Sequence, residues 1–154
     1  MFNALDIMTT SVVSVRADNT LEDVVQILAK KRISGLPVVD EENKVIGMIS
    51  EKDIIDYASE LHAIRTINSS AWVSPHFDVS FISSYKKGFE RLSKTNVEKV
   101  MTTKLVIAEE NTSIEEIAKL MTKKKVNRIP ITDNTGALIG IITRTDLINY
   151  YASL

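Results

Sequence analysis

The chain has 154 residues, 44% of them apolar, and a formal net charge of −1. That length can bury one core or two small ones packed as a unit, and the near-zero charge gives nucleic acid no broad electrostatic pull. The absence of cysteine excludes disulfides, thiolate nucleophiles and cysteine metal sites, and the two histidines, His62 and His76, lack metal-ligand spacing.

In chain order, the opening Met1–Thr10 has no basic region followed by an apolar stretch, so a secretory leader is not expected. No apolar run approaches the roughly 20 residues of a membrane helix. The expectation is a cytoplasmic protein. "VVSV" (Val12–Val15) reads as a short strand. Thr20-Leu-Glu-Asp23 then resembles a capping box with Asp in place of Glu, and Leu21, Val24, Val25, Ile27 and Leu28 follow at helical spacing. The lysines and Arg32 at its end suit the negative pole of the helix. "LPVVD" (Leu36–Asp40) predicts a strand whose proline, unable to donate to a ladder, points to an edge or a strand start. Asp40–Asn43 is turn chemistry, so Lys44–Ser50 should return as a hairpin partner, with Gly47 inside it. A helix from Asp53 carries Ile54, Tyr57, Ala58, Leu61 and Ile64 on one face and should continue to about Ile67. A second helix is predicted near Tyr85–Lys94. Trp72, Phe77 and Phe81 lie between the two, in a segment read as a flap, a partner surface or a lid.

From Met101 the same order begins again, with "LVIA" (Leu105–Ala108) read as its first short strand. With an offset of 93, residues 8–61 align with 101–154 without a gap, and 16 of the 54 pairs are identical. "MTT" recurs at both starts, and "IGMISEKDII" (Ile46–Ile55) answers "IGIITRTDLI" (Ile139–Ile148). Ser113 and Glu116 form the second capping box, followed by Ile114, Ile117, Ala118, Leu120 and Met121. Gly140 matches Gly47, and glycine inside a strand is costly unless a backbone or ligand approaches closely. The division expected is a first copy over 1–61, a separate segment over 62–100 and a second copy over 101–154. Each copy reads strand, helix, strand, strand, helix.

Two βαββα units carrying proline-led strands and Gly-x-x-Ser/Thr-x-x-Asp resemble a tandem pair of CBS domains, the module first described in cystathionine β-synthase. The resemblance covers about 108 residues. It implies a mixed α/β (α+β) fold with two repeats packed sheet to sheet around a pseudo-twofold axis. It also implies a regulatory rather than catalytic role, and clefts that take AMP, ADP, ATP, S-adenosylmethionine or a related adenosyl ligand. No obligatory cofactor is expected. A homodimer is expected, a further protein partner is left open, and neither nucleic acid nor membrane is anticipated.

Asp53 and Asp146 carry two compatible readings. With Ser50 or Thr143 as N-cap, each falls at the third helical position, where a carboxylate is favourable by ~0.3–1 kcal/mol. A carboxylate there can also accept from both hydroxyls of a ribose. In the family this aspartate takes the ribose. Carried over position by position, Thr9, Ser14, Ile33, Ser34, Ile141 and Thr143 join Asp146 in the main cleft. Arg128 stands where relatives often bind phosphate, and Arg144 is a further charge at the same mouth. Met48, Ser50, Thr102, Leu105, Ile107, Val126 and Asn127 join Asp53 in a second, weaker cleft. There Gly35 replaces Arg128 and Ile107 replaces Ser14, so one good and one poor site are expected. Lys52 is read as a solvated lysine. The alternative reading is a constitutive dimerisation scaffold with vestigial clefts.

Overall fold

The computed structural model describes residues 1–68, 88 and 90–154, with the backbone alone over 62–68. The aromatic segment with Trp72, Phe77 and Phe81 lies outside the described residues. So does the first part of the second linker helix, of which residues 88 and 90–93 are helical. The elements are α1 (Ala4–Ile7), β1 (Val15–Arg16), α2 (Leu21–Lys31), β2 (Gly35–Val39), β3 (Val45–Ser50), α3 (Glu51–Asn68), a 3-10 turn (Val97–Lys99), β4 (Ala108–Glu109), α4 (Ile114–Lys124), β5 (Arg128–Thr132), β6 (Leu138–Thr143) and α5 (Arg144–Ala152). The strands form two three-stranded sheets, β1-β2-β3 and β4-β5-β6. The mixed α/β class and the twofold repetition of strand, helix, hairpin and helix are as the sequence implied.

Both capping boxes form. Thr20 Oγ1 accepts from the Asp23 amide while Asp23 accepts from the Thr20 amide, and Ser113 and Glu116 repeat the exchange. Of the first helix's apolar set, Leu21, Val24 and Leu28 are buried, but Val25 is exposed. It lies one position past Val24, about 100° around the helix and off the packed face. Both helices end on a left-handed residue, Arg32 and Lys125.

Two predicted strands are shorter and later than the apolar runs suggested. β1 starts at Val15 rather than Val12, and β4 starts at Ala108 rather than Leu105. For β4 the cause is Pro130. Ile141, opposite Pro130, spends its amide and carbonyl on Thr9 at 3.0 and 2.9 Å, so the nitrogen of Pro130 faces β4. Proline has no proton to give there, and the parallel ladder begins one step later, at Ala108 opposite Ile131. The same geometry corrects the edge-strand expectation. Pro37 and Pro130 lie in β2 and β5, the middle strands of their sheets.

The chain folds into two compact units that do not coincide with the sequence repeats. One comprises Met1–Ser14, Pro37–Met48 and Thr103–Leu154; the other comprises Val15–Leu36 and Ile49–Thr102. β2 and β3 each run from one unit into the other.

The first unit holds a core of Ala4, Ala108, Ile114, Ile117, Met121, Ile129, Ile131, Ile142 and Leu147. A smaller cluster unites Val39, Val45 and Leu138 with Val12 against it. Val45 and Leu138 are equivalent residues of the two copies, 93 apart. Lys44 and Ala137, also equivalent, face each other in an antiparallel bridge. Equivalent residues opposed in an antiparallel pair are what a local twofold axis produces.

The turns that meet there are built alike. Asp40 Oδ1 accepts from the amides of Glu42 and Lys44, and Asp133 Oδ1 accepts from those of Thr135 and Ala137. The Thr135 hydroxyl, first, and its amide hold the Asp133 carboxyl below its ordinary value. Their fourth residues differ. Gly136 has φ +86° at no cost, whereas Asn43 adopts φ +62°. Asn43 is held by Leu138, whose amide donates to its carbonyl at 2.9 Å and whose carbonyl accepts from Nδ2 at 3.1 Å. Asn43→Ala should lower stability by about 1–3 kcal/mol, through one lost hydrogen bond and a left-handed alanine. Asn43→Gly, which keeps the backbone, should cost less than half as much. Thermal unfolding of the two variants checks that order.

Candidate ligand site

The elements of the first unit bring five of the sequence-picked residues to one place. Thr9 lies outside β6, paired with Ile141 through two backbone hydrogen bonds. Directly paired residues share a face, so Thr9 and Ile141 point the same way. Thr143 is two residues beyond Ile141 and shares that face. It stands opposite Arg128, the first residue of β5. By the alternation of the ladder this is the non-hydrogen-bonded kind of pair, whose Cα atoms lie about 4.5 Å apart with side chains close together. Thr143, Ile141 and Arg128 are all half-buried, while Ile142 and Ile129 turn into the core on the other face.

Thr143 ends β6 and caps α5. Its Oγ1 accepts from the Asp146 amide at 3.4 Å, and Asp146 Oδ2 accepts from the Thr143 amide and hydroxyl at 2.7 and 2.9 Å. The helix-start reading is therefore realised. It uses one carboxylate oxygen: Oδ1 of Asp146 accepts no hydrogen bond from the described residues. Half-buried Asp146 is thus tied to Thr143, whose ladder partner is Arg128 and whose strand neighbour on the same face, Ile141, pairs with Thr9. The set offers an acceptor for neighbouring hydroxyls, a cation for an anionic group and an apolar surface for a flat ring.

Ser14 is half-buried in the same unit, just before β1. Ile33 and Ser34 belong to the other unit, where the Ser34 carbonyl accepts from the Glu51 amide at 2.8 Å. Of the second set, Ser50, Asp53 and Thr102 lie in that unit, and Met48, Leu105, Ile107, Val126 and Asn127 in the first. Ser50 and Asp53 repeat the capping exchange, with Asp53 Oδ2 accepting from the Ser50 amide and hydroxyl at 2.9 Å each. The Asn127 carbonyl accepts from the Arg144 amide, the counterpart of Ser34 and Glu51. Arg144 is exposed, and Val126 packs against the core. Leu105 and Ile107 are 37% and 41% exposed. Lys52 pairs with Asp56 on its own helix, as a solvated lysine would. Met8, which lies over Gly140, escaped the sequence reading; the glycine inside a strand was its one signal.

The CBS domain family model matches twice, over residues 4–60 and 97–153. The chain belongs to the CBS domain family. Among CBS relatives, protein MJ1426 of Methanocaldococcus jannaschii is 37% identical over 147 residues, covering 93% of this chain and 87% of that protein. The chloroplastic CBS domain-containing protein CBSX1 of Arabidopsis thaliana is 34% identical, covering 87% of this chain but 56% of that protein, so the chain spans little more than half of it. Two solved CBS structures share the fold. Arabidopsis CBSX2 in complex with AMP has a TM-score of 0.73 and 22% identity, covering 99% of this chain and 98% of that one. The CBS pair of protein MJ0100 in complex with 5-methylthioadenosine and S-adenosyl-L-methionine has a TM-score of 0.70 and 20% identity, covering 99% and 98%. Among the described residues no helix is long and apolar enough to cross a membrane, and no group of His, Cys, Asp and Glu could hold a metal ion.

Proposed function

We propose that this CBS protein is a regulatory module that binds an adenosyl ligand, and that it is not an enzyme. The motifs are taken as 1–61 and 101–154, with 62–100 a separate excursion. The observation that carries the reading is the adjacency of Thr9, Arg128, Ile141 and Thr143 along the sheet, with Asp146 bonded to Thr143 through one oxygen while its other oxygen accepts no hydrogen bond from the described residues. In the proposed mode, Asp146 Oδ1 accepts from the ribose hydroxyls, Arg128 meets phosphate, and Ile141 supports the base. The AMP and S-adenosylmethionine complexes of CBSX2 and MJ0100 support the ligand class. The Asp53 set is proposed as the weaker, because Gly35 stands at the position equivalent to Arg128. Cytoplasmic residence and a homodimer belong to the same proposal. The ligand would act by binding one arrangement of the protein better than another.

One observation favours a second reading. Asp53 and Asp146 are both fully explained as helix caps, which a constitutive scaffold would need just as much. Calorimetric titration with AMP, ADP, ATP and S-adenosylmethionine separates the two. The sensor should give saturable heat with at least one of them, near one equivalent per chain. Its melting temperature should rise, by the equivalent of about 2.7 kcal/mol at a hundredfold excess over Kd. The scaffold gives neither heat nor shift with any of the four.

A further inference from the structure

Thr9 reaches the site from a short segment outside the β4-β5-β6 sheet, and its register there is set by the residue before it. Met8 ends α1, donating its amide to the Ala4 carbonyl at 2.9 Å. Ala4 is fully buried and donates to Thr112 at 2.9 Å, so α1 is anchored to the first unit independently of the site. The Met8 side chain lies over Gly140. A Cβ placed at 140 would collide with Met8 Sδ and stand 2.8 Å from Cγ and 3.1 Å from Cβ. Successive residues of an extended segment point to opposite faces. With Met8 seated on the core side of β6, Thr9 must present its side chain on the side of Ile141 and Thr143.

We infer that Gly140 is a positioning residue for the ligand site: it admits Met8, and Met8 holds Thr9 in register beside Ile141. The inference rests on the adenosyl-binding reading, but its mechanical half can be measured without a ligand. A methyl group at 140 evicts the methionine and loosens the two backbone hydrogen bonds between Thr9 and Ile141, although the glycine itself touches no ligand.

The test combines amide hydrogen exchange with AMP calorimetry on the full chain. In Gly140→Ala, the amides of Thr9 and Ile141 should exchange at least tenfold faster and AMP should bind roughly tenfold more weakly. The Met8→Ala/Gly140→Ala double variant also lacks the methionine that holds Thr9, so its exchange and affinity should stay within about threefold of Gly140→Ala alone, because both substitutions remove the same contact. Unchanged protection in Gly140→Ala overturns the inference. So does weaker AMP binding with both amides still protected, or a double variant whose two amides are as protected as in wild type. If wild type fails to bind AMP, the adenosyl reading fails for AMP while the exchange comparison still decides the role of Gly140. Should Gly140→Ala not fold, Met8→Ala removes the wedge without a collision. It must then accelerate exchange at the same two amides, and protection equal to wild type sinks the idea.

Discussion

Asp146→Ala should weaken AMP binding by about a hundredfold or more. Two hydrogen bonds from sugar hydroxyls to a carboxylate contribute roughly 1.5–3 kcal/mol each, and 1.36 kcal/mol is a factor of ten. The substitution also removes the reciprocal cap on α5, since the Thr143 amide and hydroxyl both donate to this carboxylate. Loss of a cap costs about 1 kcal/mol and frays a helix without touching a ligand, so it needs its own control. Thr143→Ala also breaks the capping box but leaves both carboxylate oxygens available. If capping were the whole role of Asp146, the two variants would lose affinity alike. Under the ribose reading Asp146→Ala loses at least tenfold more than Thr143→Ala, and Asp53→Ala stays near wild type. Full affinity in Asp146→Ala together with loss in Asp53→Ala would reverse the ranking of the two sites.

The largest stability effect is expected at Ile131. Its side chain is fully buried in β5, the middle strand of its sheet. Its cross-strand partner is Gly140, and its parallel partner is Ala108. Neither has a side chain that can relax into a vacated space. Ile131→Ala should therefore leave a cavity and fall in the upper part of the 2–5 kcal/mol range for such truncations. Against a total stability of about 5–15 kcal/mol, a marginally stable chain would unfold. Ile148→Ala is the contrast. Ile148 is 66% exposed, and its truncation should stay within about 0.5 kcal/mol. Urea unfolding with a shared slope measures both, and equal midpoints would contradict this packing.

The repeat was legible because both copies preserve capping boxes, turns and hairpins, each written within four or five consecutive residues. Ser113 with Glu116, Asp133 with the Thr135 and Ala137 amides, and Thr143 with Asp146 all appear where local chemistry puts them. Val12–Val15 and Leu105–Ala108 were misjudged because hydrophobicity reports burial rather than pairing. Whether such a run joins a ladder depends on the partner strand. In β5 the partner offers a proline where the next amide is required.

The site divides along the same line. Residue types at fixed spacing were enough to nominate Thr143, Asp146 and Arg128, because a helix cap and the strand before it are local and the family resemblance supplies the role. The sequence by itself determined the two copies, their helices and hairpins, and the carboxylate at each helix start. Each follows from hydrogen bonds and periodicities a few residues long. Only the tertiary structure decided that Thr9 pairs with Ile141, that Met8 occupies the space above Gly140, and that Asn43 grips Leu138 across the local axis. Those contacts join residues about 95 to 132 positions apart, and no short-range rule of backbone or side chain can register one such segment against another until the core between them has closed.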